Sequence, residues 1–417
     1  MAARIIINGG EKLCGEVSIS GSKNSSLPIL AAVLLARSEC VLENVPHLWD
    51  IRSMYFLLRT LGARVEEYGD AIRIMPPAIM HHEAPYELVK TMRASFLVLG
   101  PLLARLKKAR VSLPGGCLIG SRPVDLHLKG LEQLGANIKL KEGYAEAETS
   151  GLKGNRIYLE SPSVGATENL MMAASLAEGK TFIENAAREP EITDLADFLN
   201  AMGAKVKNAG QDIIEIEGVD HLDGVHYKII PDRVEAGTFA MAIAATGGEA
   251  VLKNANAGHL KAMIVKLQEM GVKIESDNKN IYIKSPEKKK GVEVKSQPYP
   301  GFPTDLQPQM MSLTTICSGT SVITETIFEN RFMHVGELRR MGAEIDVKGN
   351  IAVIKGVEAL NGASVMASDI RAGAALVVAG LAAKSETKIS RIYHIDRGYE
   401  DIEKKFSSLG AKIKRTQ

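Results

Sequence analysis

Apolar positions along the chain recur in a fixed order: an apolar residue, two variable positions, Leu or Met, Gly, Ala or Val, one variable position, then Val or Ile. The order occurs six times, with glycines at Gly62, Gly135, Gly203, Gly271, Gly342 and Gly410, separated by 73, 68, 68, 71 and 68 residues. In each copy apolar residues stand four and one positions before the glycine, as Leu58 and Leu61 or Leu338 and Met341 do. That three-residue spacing marks one face of a helix, and the glycine fits the left-handed position that ends it. Alternating residues follow, as in Ala204-Lys205-Val206, and then a second short strand such as 213–216 or 281–283. The pattern therefore predicts helix, glycine and hairpin as one repeated unit.

Upstream of most copies lies a stretch of small residues, at 27–36, 169–177, 238–245 and 372–383. Such smallness suits a helix buried between sheets. The sixth copy leaves seven residues after Gly410, too few for a second hairpin strand, while Ile5-Ile6-Ile7 is a strand without a unit. The N-terminal strand is accordingly expected to complete the sixth unit. An α/β fold follows, of two lobes with three units of about 70 residues each. One lobe spans 22–231 and the other joins 1–21 to 232–417, so the chain crosses twice and a ligand cleft is expected between the lobes.

At 45% hydrophobic and 24% charged over 417 residues, the composition is that of an ordered globular protein too long for a single module. Lys+Arg 51 against Asp+Glu 49 leaves +2, so no global field draws the protein to nucleic acid, and any anionic ligand must be met by local cations. No apolar run reaches the roughly 18 residues of a membrane span, so no membrane insertion is expected. Cys14, Cys40, Cys117 and Cys317 form no CxxC pair, and with no long apolar signal core at Met1 a reducing cytoplasm is the expected compartment.

Cys117 ends the turn-prone Leu113-Pro114-Gly115-Gly116, where a thiol can be exposed and acidic, or exposed and inert. The other three cysteines read as core. Arg122, in Ser121-Arg122-Pro123-Val124-Asp125-Leu126, is placed either to grip an anion bidentately or to pair with Asp125 at the surface. Ser22 caps a helix, but capping leaves Lys23 and Asn24 unexplained, and a helix start favours an anion. Arg93, Arg233 and Arg371 also stand at the starts of small-residue helices, with Asp232 and Asp369 as the plain partners of the latter two. Asp305 is either a general base or a cap. Gly179-Lys180-Thr181 lacks the earlier glycine of a phosphate loop, because position 174 is Ala. The histidines show no metal-ligand spacing, so no metal is expected, and Lys288-Lys289-Lys290 reads as solvated turn.

Together with the six units, Gly-Ser-Lys23-Asn24, Met-Arg93-Ala-Ser, Pro-Gly-Gly-Cys117-x-Ile-Gly-x-Arg122-Pro-Val-Asp-Leu, Ser163-Val164-Gly165-Ala-Thr, Phe-Pro-Thr-Asp305, Phe328-Glu-Asn-Arg331-Phe-Met-His and Tyr-His-Ile-Asp-Arg397-Gly-Tyr-Glu resemble one family. It is the UDP-N-acetylglucosamine 1-carboxyvinyltransferases, the enolpyruvyl transferases of peptidoglycan and cell-wall synthesis. The likeness runs from residue 5 to the end. It implies two inside-out α/β barrels, no cofactor, and transfer of enolpyruvate from phosphoenolpyruvate to the 3-hydroxyl of UDP-N-acetylglucosamine with release of phosphate.

By the same resemblance Cys117 is the proton donor, is open to covalent adducts and is the target of fosfomycin, and Asp305 is the base. Lys23, Asn24, Arg122, Arg331 and Arg397 match positions that hold phosphoenolpyruvate. Asn24, Arg93, Arg122, Pro123, Val124, Asp125, Leu126, Ser163, Val164, Gly165, Asp305 and Ile327 match positions that hold the sugar nucleotide. Ser161 and Leu97 depart from the lysine and tryptophan of some members, which puts contacts from those two positions in question. The related 5-enolpyruvylshikimate-3-phosphate synthase lacks the cysteine loop, and a silent repeat scaffold has no use for Cys117, Asp305, Lys23 and Arg397.

Overall fold

Six helices, Trp49–Thr60, Asp125–Gln133, Pro190–Ala201, Lys261–Glu269, Val335–Arg340 and Ile402–Ser408, end just before the six repeat glycines. In this computed structural model, which describes residues 3–69, 71–77, 80–90, 92–114 and 124–416, those glycines have φ of +104°, +95°, +106°, +97°, +92° and +92°. Each end carries the same pair of hydrogen bonds. At the first, Gly62 N donates to Arg59 O at 3.0 Å and Ala63 N to Leu58 O at 2.9 Å; at the last, Gly410 N donates to Ser407 O at 3.0 Å and Ala411 N to Phe406 O at 3.1 Å. These bonds satisfy the carbonyls that a helix end orphans, and they require the left-handed residue that only glycine supplies without strain.

Among the described residues the strands form six four-stranded sheets with one repeated order. Arg156–Tyr158 runs parallel to Lys180–Glu184, which is antiparallel to Ile213–Glu217, which in turn is antiparallel to Lys205–Lys207. One unit is thus an edge strand, an interior helix, a strand, an outer helix and a hairpin whose second strand sits inside the sheet. In the sixth unit Arg4–Asn8 takes that inner place, with Ile5 opposite both Ile389 and Arg415. The N-terminal strand does complete the last unit, as its pattern predicts.

Two edge strands are borrowed in a way the repeat spacing did not reveal. Cys14–Ser18 runs parallel to Glu249–Lys253, and His226–Lys228 runs parallel to Cys40–Glu43. The described residues divide into two units, one of 3–20 with 231–416 and the other of 21–114 with 124–230.

Within the second of these units the interior helices are Lys23–Ala32, Leu99–Leu106 and Val164–Ala174; within the first they are Arg233–Ala245, Gln307–Thr314 and Ile370–Ala382. Every residue of Arg233–Ala245 is buried, as suits a helix whose last seven residues are apolar on every side. The sheets lie outside the helices and alternate, with Ile5 and Ile7 buried and Arg4 and Asn8 exposed. The arrangement is inside-out α/β, three separate sheets about three helices in each unit. Among the described residues the sheets stay separate, since edge strands such as Arg156–Tyr158 pair on one side alone, so the expected inside-out lobes are prisms walled by three sheets.

Three further readings change. Cys14 is exposed rather than core, since it opens an edge strand that buries only Val17. Cys40 and Cys317 are buried, and burial pushes their thiols up to about 11 and about 12. Lys289 is buried rather than solvated, its ammonium donating to Pro286 O at 3.4 Å and Glu287 O at 3.3 Å.

Candidate active site

In the unit of residues 231–416 the candidate residues gather at the starts of the interior helices. Asp232 accepts from Val234 N at 2.7 Å and Glu235 N at 2.9 Å, and Asp369 accepts from Arg371 N at 2.9 Å and Ala372 N at 3.1 Å. These two aspartates are caps, so each carboxylate is turned toward backbone N–H groups. The Arg371 guanidinium is thereby left to another partner: its Nη2 lies 2.9 Å from Asp305 Oδ2. Arg331 Nη2 lies 3.0 Å from Asp305 Oδ1.

Asp305 itself sits in the single turn Thr304–Leu306 that opens Gln307–Thr314. Its side chain is 30% exposed, whereas those of Arg331 and Arg371 are 3% and 5% exposed. One carboxylate therefore faces outward from two buried cations, one on each oxygen. Burial would push Arg371 down, but the charges of Asp305, Tyr399 and Asp232 together carry it well above its ordinary value. Arg371 is a fixed cation at any working pH. The Nε of Arg331 is buried with no hydrogen-bond partner among the described residues, while its guanidinium lies 5.7 Å from the centre of the Phe328 ring.

Glu325 ties Ile327 to this group. Its Oε2 accepts from Thr304 Oγ1 at 2.9 Å, and its Oε1 accepts from Ile327 N at 2.8 Å and Phe328 N at 3.3 Å. A buried carboxylate thus ties the Thr304 side chain, next to Asp305, to the backbone at 327–328, leaving the Ile327 side chain exposed. Arg397 follows the short helix Tyr393–Asp396 and is half-buried. Its charge adds to burial in lowering the pKa of His394.

In the unit of residues 21–230, Ser22 caps Lys23–Ala32 by accepting from Ser25 N at 3.2 Å. Lys23 is buried, with its Nζ 2.8 Å from Asp50 Oδ2, a partner 27 residues away that local spacing does not predict. Asn24 beside it is half-buried.

A second group in this unit centres on His127. Its Nδ1 meets Asn169 Nδ2 at 3.1 Å, and Asn169 Oδ1 accepts from Gly100 N at 2.6 Å. The amide N–H can only donate, so His127 Nδ1 accepts and the ring hydrogen sits on Nε2. Burial first and the charge of Arg93 second push His127 down to about 3, so the imidazole stays neutral. Gly165 lies against that ring, where a Cβ would meet His127 Cε1 at 3.1 Å and Nε2 at 3.3 Å. Ser163 caps the helix Val164–Ala174 through Ala166 N at 3.4 Å. Arg93, Val124, Asp125, Leu126, Ser163, Val164 and Gly165 are all half-buried, and Asp125 Oδ1 is buried with no hydrogen-bond partner among the described residues. Leu97 is buried in the apolar core and Ser161 is exposed.

Cys117, Arg122 and Pro123 lie outside the described residues. Sequence reasoning placed Arg331 and Asp305 in the site but missed that they touch. It also paired Arg371 with neighbouring aspartates and overlooked Glu325 altogether. An arginine two residues past a capping aspartate, as Arg371 is past Asp369, is the available signal, because the cap's carboxylate is committed to the backbone.

The family model for EPSP synthase (3-phosphoshikimate 1-carboxyvinyltransferase) matches residues 7–406. The UDP-N-acetylglucosamine 1-carboxyvinyltransferase of Geotalea uraniireducens is 55% identical over 414 residues, covering 99% of this chain and 99% of its own. The protein of that name from Trichlorobacter lovleyi is 56% identical over 413 residues, with 99% of each chain covered. Among solved structures, the enolpyruvyl transferase NikO from Streptomyces tendae superposes with a TM-score of 0.89 at 24% identity, over 100% of this chain and 99% of that one. An EPSP synthase from Acinetobacter baumannii does so with a TM-score of 0.78 at 19% identity, over 100% of both chains. These two likenesses establish the fold.

Proposed function

We infer from its membership that this chain, which belongs to the UDP-N-acetylglucosamine 1-carboxyvinyltransferase family within the EPSP synthase group of folds, is an enzyme of peptidoglycan precursor synthesis. It transfers the enolpyruvyl group of phosphoenolpyruvate to the 3-hydroxyl of UDP-N-acetylglucosamine and releases phosphate. The observation that carries this reading is the full-length identity to transferases of that name. Among the described residues no helix is long and apolar enough to cross a membrane, and both substrates are small soluble anions of the cytoplasm.

The chemistry divides between two proton carriers. The sugar 3-hydroxyl gives its proton to Asp305 as its oxygen attacks C2 of phosphoenolpyruvate, while the Cys117 thiol protonates C3 and becomes a thiolate. The product is a tetrahedral ketal that still bears phosphate. A proton then returns from C3 to the Cys117 thiolate as the phosphate C–O bond breaks and the departing phosphate takes up the proton held by Asp305, giving the enol ether and inorganic phosphate with both groups restored. Asp305 accepts from a guanidinium at each oxygen, and a carboxylate is an acceptor with about four lone-pair sites in all, as a base for the hydroxyl hydrogen requires. Lys23, Asn24, Arg122, Arg331 and Arg397 hold the phosphate and carboxylate, whose closeness calls for several fixed cations. Arg93, the stretch 122–126, Ser163, Val164, Gly165 and Ile327 hold the sugar nucleotide.

The test is phosphate release from phosphoenolpyruvate with UDP-N-acetylglucosamine or with shikimate 3-phosphate as acceptor. Release with the sugar nucleotide, lost in Cys117→Ser and after alkylation or fosfomycin labelling of Cys117, is expected. Release with shikimate 3-phosphate alone would overturn the reading, and an active Cys117→Ser would remove the thiol as acid.

A further inference from the structure

We propose that Tyr399 is a positioning residue for Asp305, its hydroxyl fixing the Arg371 guanidinium that grips Asp305 Oδ2. The inference rests on the reading of Asp305 as base and adds a member that the reading does not contain.

With the Gln309 amide turned so that its Nε2 faces the hydroxyl, the hydrogen-bond arithmetic there has one solution. Thr238 Oγ1 lies 2.8 Å from Val234 O, which can only accept, so the one Thr238 hydrogen goes there. Thr238 Oγ1 also lies 2.9 Å from Tyr399 OH, and with its own hydrogen committed it accepts the phenolic one. The tyrosine oxygen then has two lone pairs left. Gln309 Nε2 donates to one at 3.0 Å, and Arg371 Nη1 donates to the other at 3.4 Å. Gln309 Nε2 donates also to Thr238 Oγ1 at 3.0 Å. Tyr399 thus uses its full capacity of one donation and two acceptances.

Every member is buried: Thr238 and Gln309 are fully so, Tyr399 is 2% exposed and Arg371 4%. The three come from the three interior helices, Thr238 from Arg233–Ala245, Gln309 from Gln307–Thr314 and Arg371 from Ile370–Ala382. The tyrosine hydroxyl hydrogen-bonds to all three. Arg371 is consequently held at both ends of its plane, Nη1 on Tyr399 and Nη2 on Asp305, and cannot rotate without leaving a buried N–H unpaired. The tyrosine is itself clamped. A Cβ on Gly398 would come within 2.4 Å of Ile370 Cγ2, so the segment from Arg397 to Tyr399 is pressed onto the helix that carries Arg371.

The charged and titratable groups around this chain are Arg331 on Asp305, Asp232 and Asp305 on Arg371, and His334 near Arg331 and Asp369. Removing the phenolic oxygen strands the hydrogens of Arg371 and Gln309 and lets the guanidinium turn from Asp305. The base then sits less accurately and loses part of its cationic support.

The experiment compares the wild type with Tyr399→Phe and Thr238→Val in phosphate release across the pH range. Alongside it, Asp305 is titrated by carbon NMR of 13Cγ-aspartate-labelled protein, assigned with Asp305→Asn. Tyr399→Phe is expected to lower kcat about tenfold, as a displaced reacting group does, with KM for the sugar nucleotide changed less than twofold. The Asp305 titration should move up by roughly half a unit, because an opposite charge that holds a carboxylate down has been loosened. Thr238→Val should move both in the same direction by less. A Tyr399→Phe enzyme with wild-type kcat and titration overturns the proposal. So does a loss of activity that follows loss of thermal stability while the Asp305 titration stays put. Absence of wild-type transfer would overturn the proposed reaction instead, and the titration would still decide the hydroxyl's role.

Discussion

The same substitution, glycine to alanine, should have opposite signs at two places in one unit. Gly410 lies at φ +92°, and a Cβ there meets nothing within 4 Å. Gly336 stands inside the helix Val335–Arg340, again with open space around a Cβ. Sterics with neighbours are therefore absent at both, and the backbone alone decides. At Gly410 an alanine takes on the left-handed penalty of about 1–2 kcal/mol. It recovers roughly 0.4–1 kcal/mol through a less disordered unfolded chain, leaving about 1 kcal/mol of destabilisation. At Gly336 the penalty is missing, and near a helix start the gain is about 0.5 kcal/mol. With a urea m-value of about 2 kcal/mol/M for a unit of this size, Gly410→Ala should lower the unfolding midpoint by roughly 0.5 M. Gly336→Ala should raise it by roughly half as much. Shifts of the same sign, or no shift at Gly410, would refute the assignment of the repeat glycines to left-handed helix ends.

Asp305→Ala should cut kcat far more than it raises the dissociation constant of UDP-N-acetylglucosamine; equal losses would reduce Asp305 to a binding contact. The neutral His127 sets an acid limit. Its folded pKa of about 3 lies below the ordinary 6.5, so the unfolded chain binds the proton first, and stability is lost as pH falls from about 6.5 toward 3. Urea midpoints should therefore decline over that range in the wild type and decline less in His127→Gln. Parallel slopes would sink that account.

The fold was legible where a residue type answers a backbone demand. Six glycines at the same offset from an apolar pair mark six left-handed helix ends whatever the surrounding sequence. Ile5-Ile6-Ile7 could be assigned because one unit lacked its inner strand. The borrowed edge strands at Cys14–Ser18 and His226–Lys228 escaped, since three- and five-residue strands with at most one buried position carry almost no period, and Cys14 was misjudged for that reason. In the site, Asp305, Lys23 and the helix-start arginines were visible as types, while their partners were not. Arg371 reaches Asp305 across 66 residues, and Lys23 finds Asp50 within another helix. Long side chains choose partners by tertiary placement, and nothing in the local sequence encodes that choice. Lys289 shows the converse, a lysine run whose middle member turns inward to carbonyls that only the folded turn presents.

The sheet partners of the first eighteen residues impose an order on synthesis. Residues 21–230 carry all the strands of their own three sheets, so this half can consolidate while the rest is still being translated. Arg4–Asn8 and Cys14–Ser18 must wait for partners at 249–253, 386–390 and 412–416. At elongation rates of about 5–20 residues per second that wait lasts on the order of tens of seconds. Throughout it, a segment made well before its sheet partners docks after them, with its isoleucines bare and open to chaperones or to the wrong strand.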